Sequence, residues 1–337
     1  MTAFPKHRLA SRPSRRQFLQ GSAALAAAGA LPASAQTAWP GAKPIRWIVP
    51  YAAGGATDIV ARMVGEALGN LLGQRVLVDN RPGAASTVGI GMLATSAADG
   101  YTMATADNAT LFNNWTLFDK LPYTPDSFEY AAPLLRAPLV LTVGPNVPAK
   151  NFQEWVSWAK QNKGKVSYGS PGIGSPHHIA LATLNDRLDL GMQHIPYKGD
   201  SAAVVDMVGG VLPCMLMGVA TARQHVKDGK LRFIAMNWPT RLSTMPDVPT
   251  LDEVGVKGFE AGAEQAVLMP AGTPKDVVAR INKEIIAIMN TPAIKDRLEA
   301  VGVYPPVSRT PEELRAYVTR QSREAGAVIR KNGITIN

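Results

Sequence analysis

The residues in this chain whose types and spacing could do chemistry are few: five histidines, one cysteine and two glycine-rich turns. His177 and His178 are adjacent, so in a helix they point to different faces and do not make the i, i+4 pair that a metal wants. His7 falls in the basic N-terminal segment, and His194 and His225 stand alone as surface or structurally satisfied groups. Cys214 is the single cysteine, which excludes an internal disulfide and a cysteine-based zinc site. With no H-E-x-x-H either, neither a metal nor a cofactor is expected. The stretch Gly172-Ile173-Gly174-Ser175-Pro176 has the wrong spacing for a G-x-S-x-G nucleophile, and no phosphate loop of the G-x-x-x-x-G-K-[ST] type exists. Gly54-Gly55 lacks the third glycine of the dinucleotide pattern.

Two turns remain, Tyr51–Asp58 and Ser170–His178. Glycine-rich turns expose backbone N–H groups, and the N-terminus of a following helix carries partial positive charge. Together they suit a small carboxylate without an arginine. For any single glycine the competing account is that it only permits a tight turn.

The elements that must position these turns alternate between strand and helix. Ile45–Val49 is a β-type run closed by Pro50, and Ile59, Val60, Met63, Val64, Ala67, Leu68 and Leu71 recur at helical spacing, with Thr57 or Asp58 as N-cap. Gly73 stops that helix and Val76–Val78 is the next strand, a βαβ unit with parallel strands. Further strands are predicted at 101–105, 139–143, 166–169, 193–195, 214–217, 232–236 and 266–269, with helices near 178–186, 201–208, 220–228 and 277–288. Thr273-Pro274, Thr291-Pro292 and Thr310-Pro311 each read as a threonine cap followed by proline in the first turn, and Thr310 with Glu313 fits a capping box. This alternation, over 337 residues that are 46% apolar, predicts an α/β protein of two domains.

Residues 1–35 hold five of the 35 basic residues and none of the 26 acidic ones, so the formal +9 falls to +4 over the rest of the chain. That balance is too weak and scattered for nucleic acid. The same 35 residues combine Ser14-Arg15-Arg16-Gln17-Phe18-Leu19, the apolar run Gly21–Leu31 and Ala33-Ser34-Ala35, the three parts of a twin-arginine export signal. The run is far shorter than the roughly 20 residues that span a bilayer. Periplasmic export with cleavage after Ala35 is expected.

Read in order, Ile48-Val49-Pro50-Tyr51-Ala52-Ala53-Gly54-Gly55 with Asp58, Asn80-Arg81-Pro82-Gly83-Ala84, Asp99-Gly100-Tyr101-Thr102, Tyr168–Ser175 with His178, Pro196-Tyr197-Lys198-Gly199, Gly229–Arg232, Pro246–Thr250 and Pro270–Pro274 resemble the Bug family. These are periplasmic solute-binding proteins, the receptors of tripartite tricarboxylate transporters. The motifs run from about residue 44 to 320, and their ordered combination is specific where each alone is weak.

The resemblance implies a periplasmic-binding-protein fold (Venus-flytrap, type II-like), two α/β domains joined by a crossover hinge. It assigns 37–138 with 259–337 to domain 1 and 139–258 to domain 2. It implies a receptor, a monomer and not an enzyme, holding a dicarboxylate, tricarboxylate or aromatic acid for membrane permease subunits or a sensor. The competing reading is an exported hydrolase or transferase using His177 or His178 as base.

Carried onto this chain, the site comprises backbone donors at Ala53, Gly54, Gly55 and Ala56, with Thr57, Ser170, Gly174, Ser175 and His178. Tyr51 covers the ligand or is a core aromatic, Asn108 lines the cleft from a strand end, and Tyr197 and Lys198 serve the cleft unless Lys198 is solvated or steadies the hinge. Asp58 reads as a cap, since a carboxylate repels an anion. The chain departs from the family at Gly218-Val219-Ala220-Thr221, where Thr221 would donate in place of an amide. It departs again at Ala263-Glu264-Gln265, where Glu264 faces a ligand amine or hydroxyl or is exposed, the latter favoured. Pro171, Pro176 and His177 are further departures.

Overall fold

The structure is a computed structural model that describes residues 39–336 apart from Ala85, Glu260, Ala261 and Val301. The export segment and its cleavage point lie outside the described residues. β1 (Ile45–Val49) is buried on both faces, as a central parallel strand must be. α1 (Ala56–Leu72) lays Val60, Met63, Val64 and Leu68 against it and ends on Gly73 at φ +66°, the left-handed stop that glycine adopts without penalty. β2 (Val76–Asn80), α2 (Thr87–Ala94) and β3 (Thr102–Asp107) come next, with β1 parallel to both strands. A π-helical turn (Ala109–Asn113) runs into α3 (Asn114–Leu117), and β4 (Phe128–Ala137) closes this part.

The chain then crosses at Pro138 to a second sheet. In order come β5 (Leu139–Val143), α4 (Phe152–Gln161), β6 (Ser167–Ser170), α5 (Pro176–Leu188) and β7 (Gln193–Pro196). α6 (Asp200–Val208), β8 (Cys214–Gly218), α7 (Val219–Lys227) and β9 (Arg232–Asn237) complete it. A return crossing leads to β10 (Ala263–Pro270), then α8 (Lys275–Met289), α9 (Pro292–Ala300) and α10 (Pro311–Lys331).

The sheets are ordered β2-β1-β3-β10-β4 and β7-β6-β8-β5-β9. Each has its own core. Trp47 anchors the first, wholly buried with its indole N–H on Thr105 Oγ1 at 2.9 Å, and Trp155 anchors the second. Among the described residues no helix is long and apolar enough to cross a membrane.

Three local expectations fail for identifiable reasons. β4 is absent from the predicted strands because Pro133 interrupts it; Pro133 sits at a register shift against β10, on the sheet edge where a missing N–H is tolerated. Of the three Thr-Pro pairs only Thr310 caps, its hydroxyl taking the Glu313 amide while Glu313 takes the Thr310 amide. Thr273 and Thr291 instead turn their hydroxyls back to the Pro270 and Ile288 carbonyls, at 2.7 and 2.8 Å. The N-cap of α1 is Gly55 rather than Thr57 or Asp58.

Candidate functional site

Because β1, β2 and β3 are parallel, their carboxyl ends meet at one edge of the first sheet, where open α/β sheets take ligands. The loop 51–55 leaves that edge and delivers α1 with Gly55 as an N-cap that offers no side-chain acceptor. The first-turn N–H groups therefore have no intrahelical partner. Asp58, buried, holds the loop from below: its carboxylate accepts the Gly54 amide (2.9 Å), Arg62 Nε (3.0 Å) and Asn80 Nδ2 (2.9 Å). Burial draws its pKa upward, but the bonds from Arg62, Gly54 and Asn80 outweigh that and keep it below the usual carboxylate range. The Gly54 amide, expected to serve a ligand, is thus committed to Asp58. Its role is conformational, with φ +87° and nothing within 4 Å of where a Cβ would sit.

Around this turn, Thr57 Oγ1 accepts Gln265 Nε2 at 2.7 Å, and Asn80 Nδ2 also donates to the Tyr51 carbonyl at 3.0 Å. Tyr51 is half-buried against the first core, and its hydroxyl donates to Asp107 Oδ2 while accepting Ser86 Oγ at 3.2 Å. Burial first, then the Asp107 charge, raises the Tyr51 pKa. Asn108 is buried with both ends of its amide used, Nδ2 on the Gly262 carbonyl (2.8 Å) and Oδ1 on the Glu264 amide (2.6 Å). It ties the end of β3 to the returning strand.

In the second lobe the loop 171–175 is pinned from all sides. Ser170, wholly buried, donates to the Gly172 carbonyl (2.9 Å) and accepts the Gly172 amide (3.2 Å), leaving His194 Nε2 to donate to it at 2.7 Å. His178 Nδ1 accepts the Gly174 amide (3.2 Å), and its ring stacks on His194 with centroids 3.5 Å apart. Burial, with His194 adding to it, depresses His178 to about 3; burial depresses His194 to about 4. Both rings are neutral at pH 7. Ser175 caps α5 by accepting the His178 amide at 3.2 Å. The loop after β7 runs alongside, Tyr197 N–H to the Ser170 carbonyl (2.9 Å) and Gly199 N–H to the Pro171 carbonyl (3.1 Å). Tyr197 turns its hydroxyl to Asp206 at 2.9 Å, and Lys198 is exposed.

The two lobes meet at this edge. Asn113 Nδ2, just beyond β3, donates to the Gly174 carbonyl at 2.8 Å, and a Cβ on Gly174 would lie 2.5 Å from Leu117 Cδ1. Tyr51, Ala53–Thr57 and Asn108 therefore gather on one lobe, and Ser170, Gly174, Ser175, His178 and Tyr197 on the other. Thr221 lies apart, lining a groove between α6 and α7 with Ser201, Val204 and His225. A cavity of about 310 Å³ between α5 and α10 reaches Asn108 and Pro176, but it adds Asp186 and Glu324 against the single Arg187, a poor lining for an anion.

Glu264 corrects the expectation of exposure. It is buried, its Oε1 2.8 Å from Arg136 Nε and accepting the Tyr317 hydroxyl at 2.8 Å. A carboxylate so placed needs its cation, and Arg136 comes from the strand that leads into the first crossing. Asp107, Gln265, Ser86 and Asn113 are the residues that sequence reasoning missed at this edge, all polar side chains at or near element ends with no motif to mark them; His194, read as a surface or structurally satisfied group, is the latter, bonded to Ser170 and stacked on His178. Among the described residues no group of three or more His, Cys, Asp or Glu side chains could hold a metal ion.

Residues 60–334 match the tripartite tricarboxylate transporter family receptor. The chain belongs to that family. Residues 12–32 match a twin-arginine translocation signal, in keeping with export to the periplasm. Protein BugT of Bordetella pertussis is 32% identical over 314 residues, 92% of this chain and 95% of the relative. The solved periplasmic binding protein BugD is 31% identical, with TM-score 0.68 over 88% of this chain and 99% of its own. MatC from Rhodopseudomonas palustris, solved with bound malate, is 28% identical with TM-score 0.68 over 86% and 99%. The two-lobed α/β architecture is thus that of periplasmic solute-binding receptors, and the family is one of receptors rather than enzymes.

Proposed function

We propose that this receptor captures a small organic carboxylate between its lobes and presents it to the permease subunits of a tripartite transporter. The observation that carries the reading is the joined edge. An uncapped α1 N-terminus lies at the sheet edge where β3 also ends, and just beyond β3 Asn113 reaches across to the Gly174 carbonyl of the glycine loop before α5, so the free first-turn amides of α1 can serve an anion at the edge where the lobes touch. The malate bound in MatC supports the same ligand class. On this reading Gly55, Ala56 and Thr57 contribute first-turn amides, while Ser170 and His178 hold the second loop in shape and Ser175 turns its free O–H to the ligand. Residues 37–138 with 259–337 form one domain and 139–258 the other, closing about the two crossings as ligand stabilises the closed state. The mature monomer begins at Gln36, after cleavage behind Ala35.

The protein acts without catalysis. Among the described residues, the one contact in the site between a serine hydroxyl and a histidine ring is turned the wrong way for a nucleophile and base, because Ser170 is wholly buried and its proton points to the Gly172 carbonyl. Thermal unfolding of the mature protein against linear di- and tricarboxylates, aromatic acids and uncharged controls tests the proposal. A ligand that binds only the folded state raises the midpoint by mass action. A large rise for an acid, with the acid recovered unchanged, is the expected result. No rise with any acid, or turnover of one, would overturn it.

A further inference from the structure

Asp107 is the last residue of β3, the strand between β1 and β10, so it ends at the edge from which α1 springs. Gln265 is its direct antiparallel partner on β10, and paired residues project to the same face about 5 Å apart. That face is the α1 side, since Gln265 Nε2 bonds to Thr57 and Asp107 to the Tyr51 hydroxyl.

The other carboxylates of this edge each hold a cation: Asp58 with Arg62, Asp79 with Arg46 and Arg81, Glu264 with Arg136. Asp107 has none among the described residues. Its carboxyl receives the Tyr51 hydroxyl and the Thr110 amide, the latter at 3.1 Å, and is further stabilised by its own amide and the Thr110 hydroxyl. Burial pushes it above the usual carboxylate range even against these hydrogen bonds. Beside it, Gln265 gives one amide N–H to Thr57, and its Oε1 is buried with no hydrogen-bond partner among the described residues. Two acceptors therefore stand together without a cation, next to a helix N-terminus that supplies donors without an anion. A ligand that satisfies both carries a carboxylate and, a few ångströms away, a positively charged donor.

We infer that Asp107, supported by Gln265 and oriented by Tyr51, is the specificity-determining residue of the site and that the acid admitted carries a protonated amine. This rests on the carboxylate reading above and narrows it. A simple diacid would place a negative charge where the chain already holds an unpaired carboxylate; an amino acid places an ammonium there and completes the ion pair that Asp107 lacks.

The test is calorimetric titration of the mature protein at pH 7 with matched probes that differ only in the amine: aspartate against succinate, glutamate against glutarate, and malate with a hydroxyl in the amine's place. The wild-type protein is expected to bind the amino acid at least tenfold more tightly than its amine-free partner and than malate. Asp107→Asn, nearly isosteric, is expected to weaken the amino acids at least tenfold while tightening the diacids, a change of opposite sign. Equal or tighter binding of succinate, glutarate or malate by the wild-type protein would overturn the inference, as would a variant that moves both classes in the same direction. The wild-type comparison decides the matter even if the variant fails to fold. Should no acid in the panel bind, the carboxylate reading falls and this inference with it; binding without regard to the amine removes the inference alone.

Discussion

Replacing Glu264 with alanine is the sharpest probe of how the lobes are tied together. Glu264 is 7% exposed and Arg136 9%, with 2.8 Å between Oε1 and Nε. The guanidinium also lies 5.1 Å from the Trp238 ring, just past β9 in the second lobe, while the backbone of Arg136 pairs with Tyr304. Arg136, on the strand entering the first crossing, thus reaches the strand leaving the second and Trp238 of the other lobe through its side chain, and the segment after α9 through its backbone. At an effective dielectric constant near 20, charges 2.8 Å apart attract by roughly 6 kcal/mol, most of which offsets the desolvation of both ions. Glu264→Ala keeps the desolvation cost of Arg136 and removes its partner, a loss of about 3–5 kcal/mol, to which the orphaned Tyr317 hydroxyl adds about 1 kcal/mol.

For a chain of this size, at about 2 °C per kcal/mol, the midpoint should fall by roughly 8–12 °C in thermal unfolding followed by circular dichroism. Glu264→Gln, which retains an acceptor for Tyr317, should fall less. The double variant Arg136→Met, Glu264→Leu should recover most of the loss, because two well-packed apolar groups bury without a charge to satisfy. A loss below about 1 kcal/mol for Glu264→Ala, or a double variant no more stable than the single, would refute the account of a buried pair.

Gly54→Leu should weaken the best-binding carboxylate at least tenfold. The reason is strain, since φ +87° costs a non-glycine residue about 1–2 kcal/mol whereas the side chain itself meets nothing within 4 Å. Unchanged affinity by calorimetry would show that the Gly54–Asp58 tether does not shape the cradle. His178 and His194, held near 3 and 4 in the folded protein, bind protons more readily once unfolded, where their pKa is about 6.5. Stability should therefore be fully present above about pH 6.5 and decline as the pH falls toward 4. Urea unfolding between pH 4 and 7 measures this, and a His178→Gln, His194→Gln double variant with an unaltered slope would remove these rings as its cause.

How much of this was legible in the sequence depended on whether a feature repeats locally. The α1 stripe and the strands 45–49 and 139–143 obey periodicity and were predicted within a residue or two. The capping box at Thr310 is written in four residues and holds. Thr273 and Thr291 look the same but lost their cap role to the carbonyls of the preceding turn, a competition that spacing cannot reveal. β4 was hidden by Pro133, whose effect depends on lying at an edge and at a register shift, both facts about another strand distant in the chain.

The site divides along the same line. Both glycine-rich loops are continuous in sequence, so they can be read there as candidates. What holds them is not: Asn80 reaches Asp58, His194 reaches Ser170, and Asn113 reaches Gly174 across the lobes. Asp107 is the clearest case. Nothing in Ala106-Asp107-Asn108 distinguishes a carboxylate without a cation from a solvated one. Its meaning comes from Gln265 standing opposite on β10 and from Arg62, Arg46, Arg81 and Arg136 each being committed elsewhere. A charge left without a cation where Asp58, Asp79 and Glu264 each hold one is a property of the folded edge, and it becomes readable only when β3 and β10 are paired.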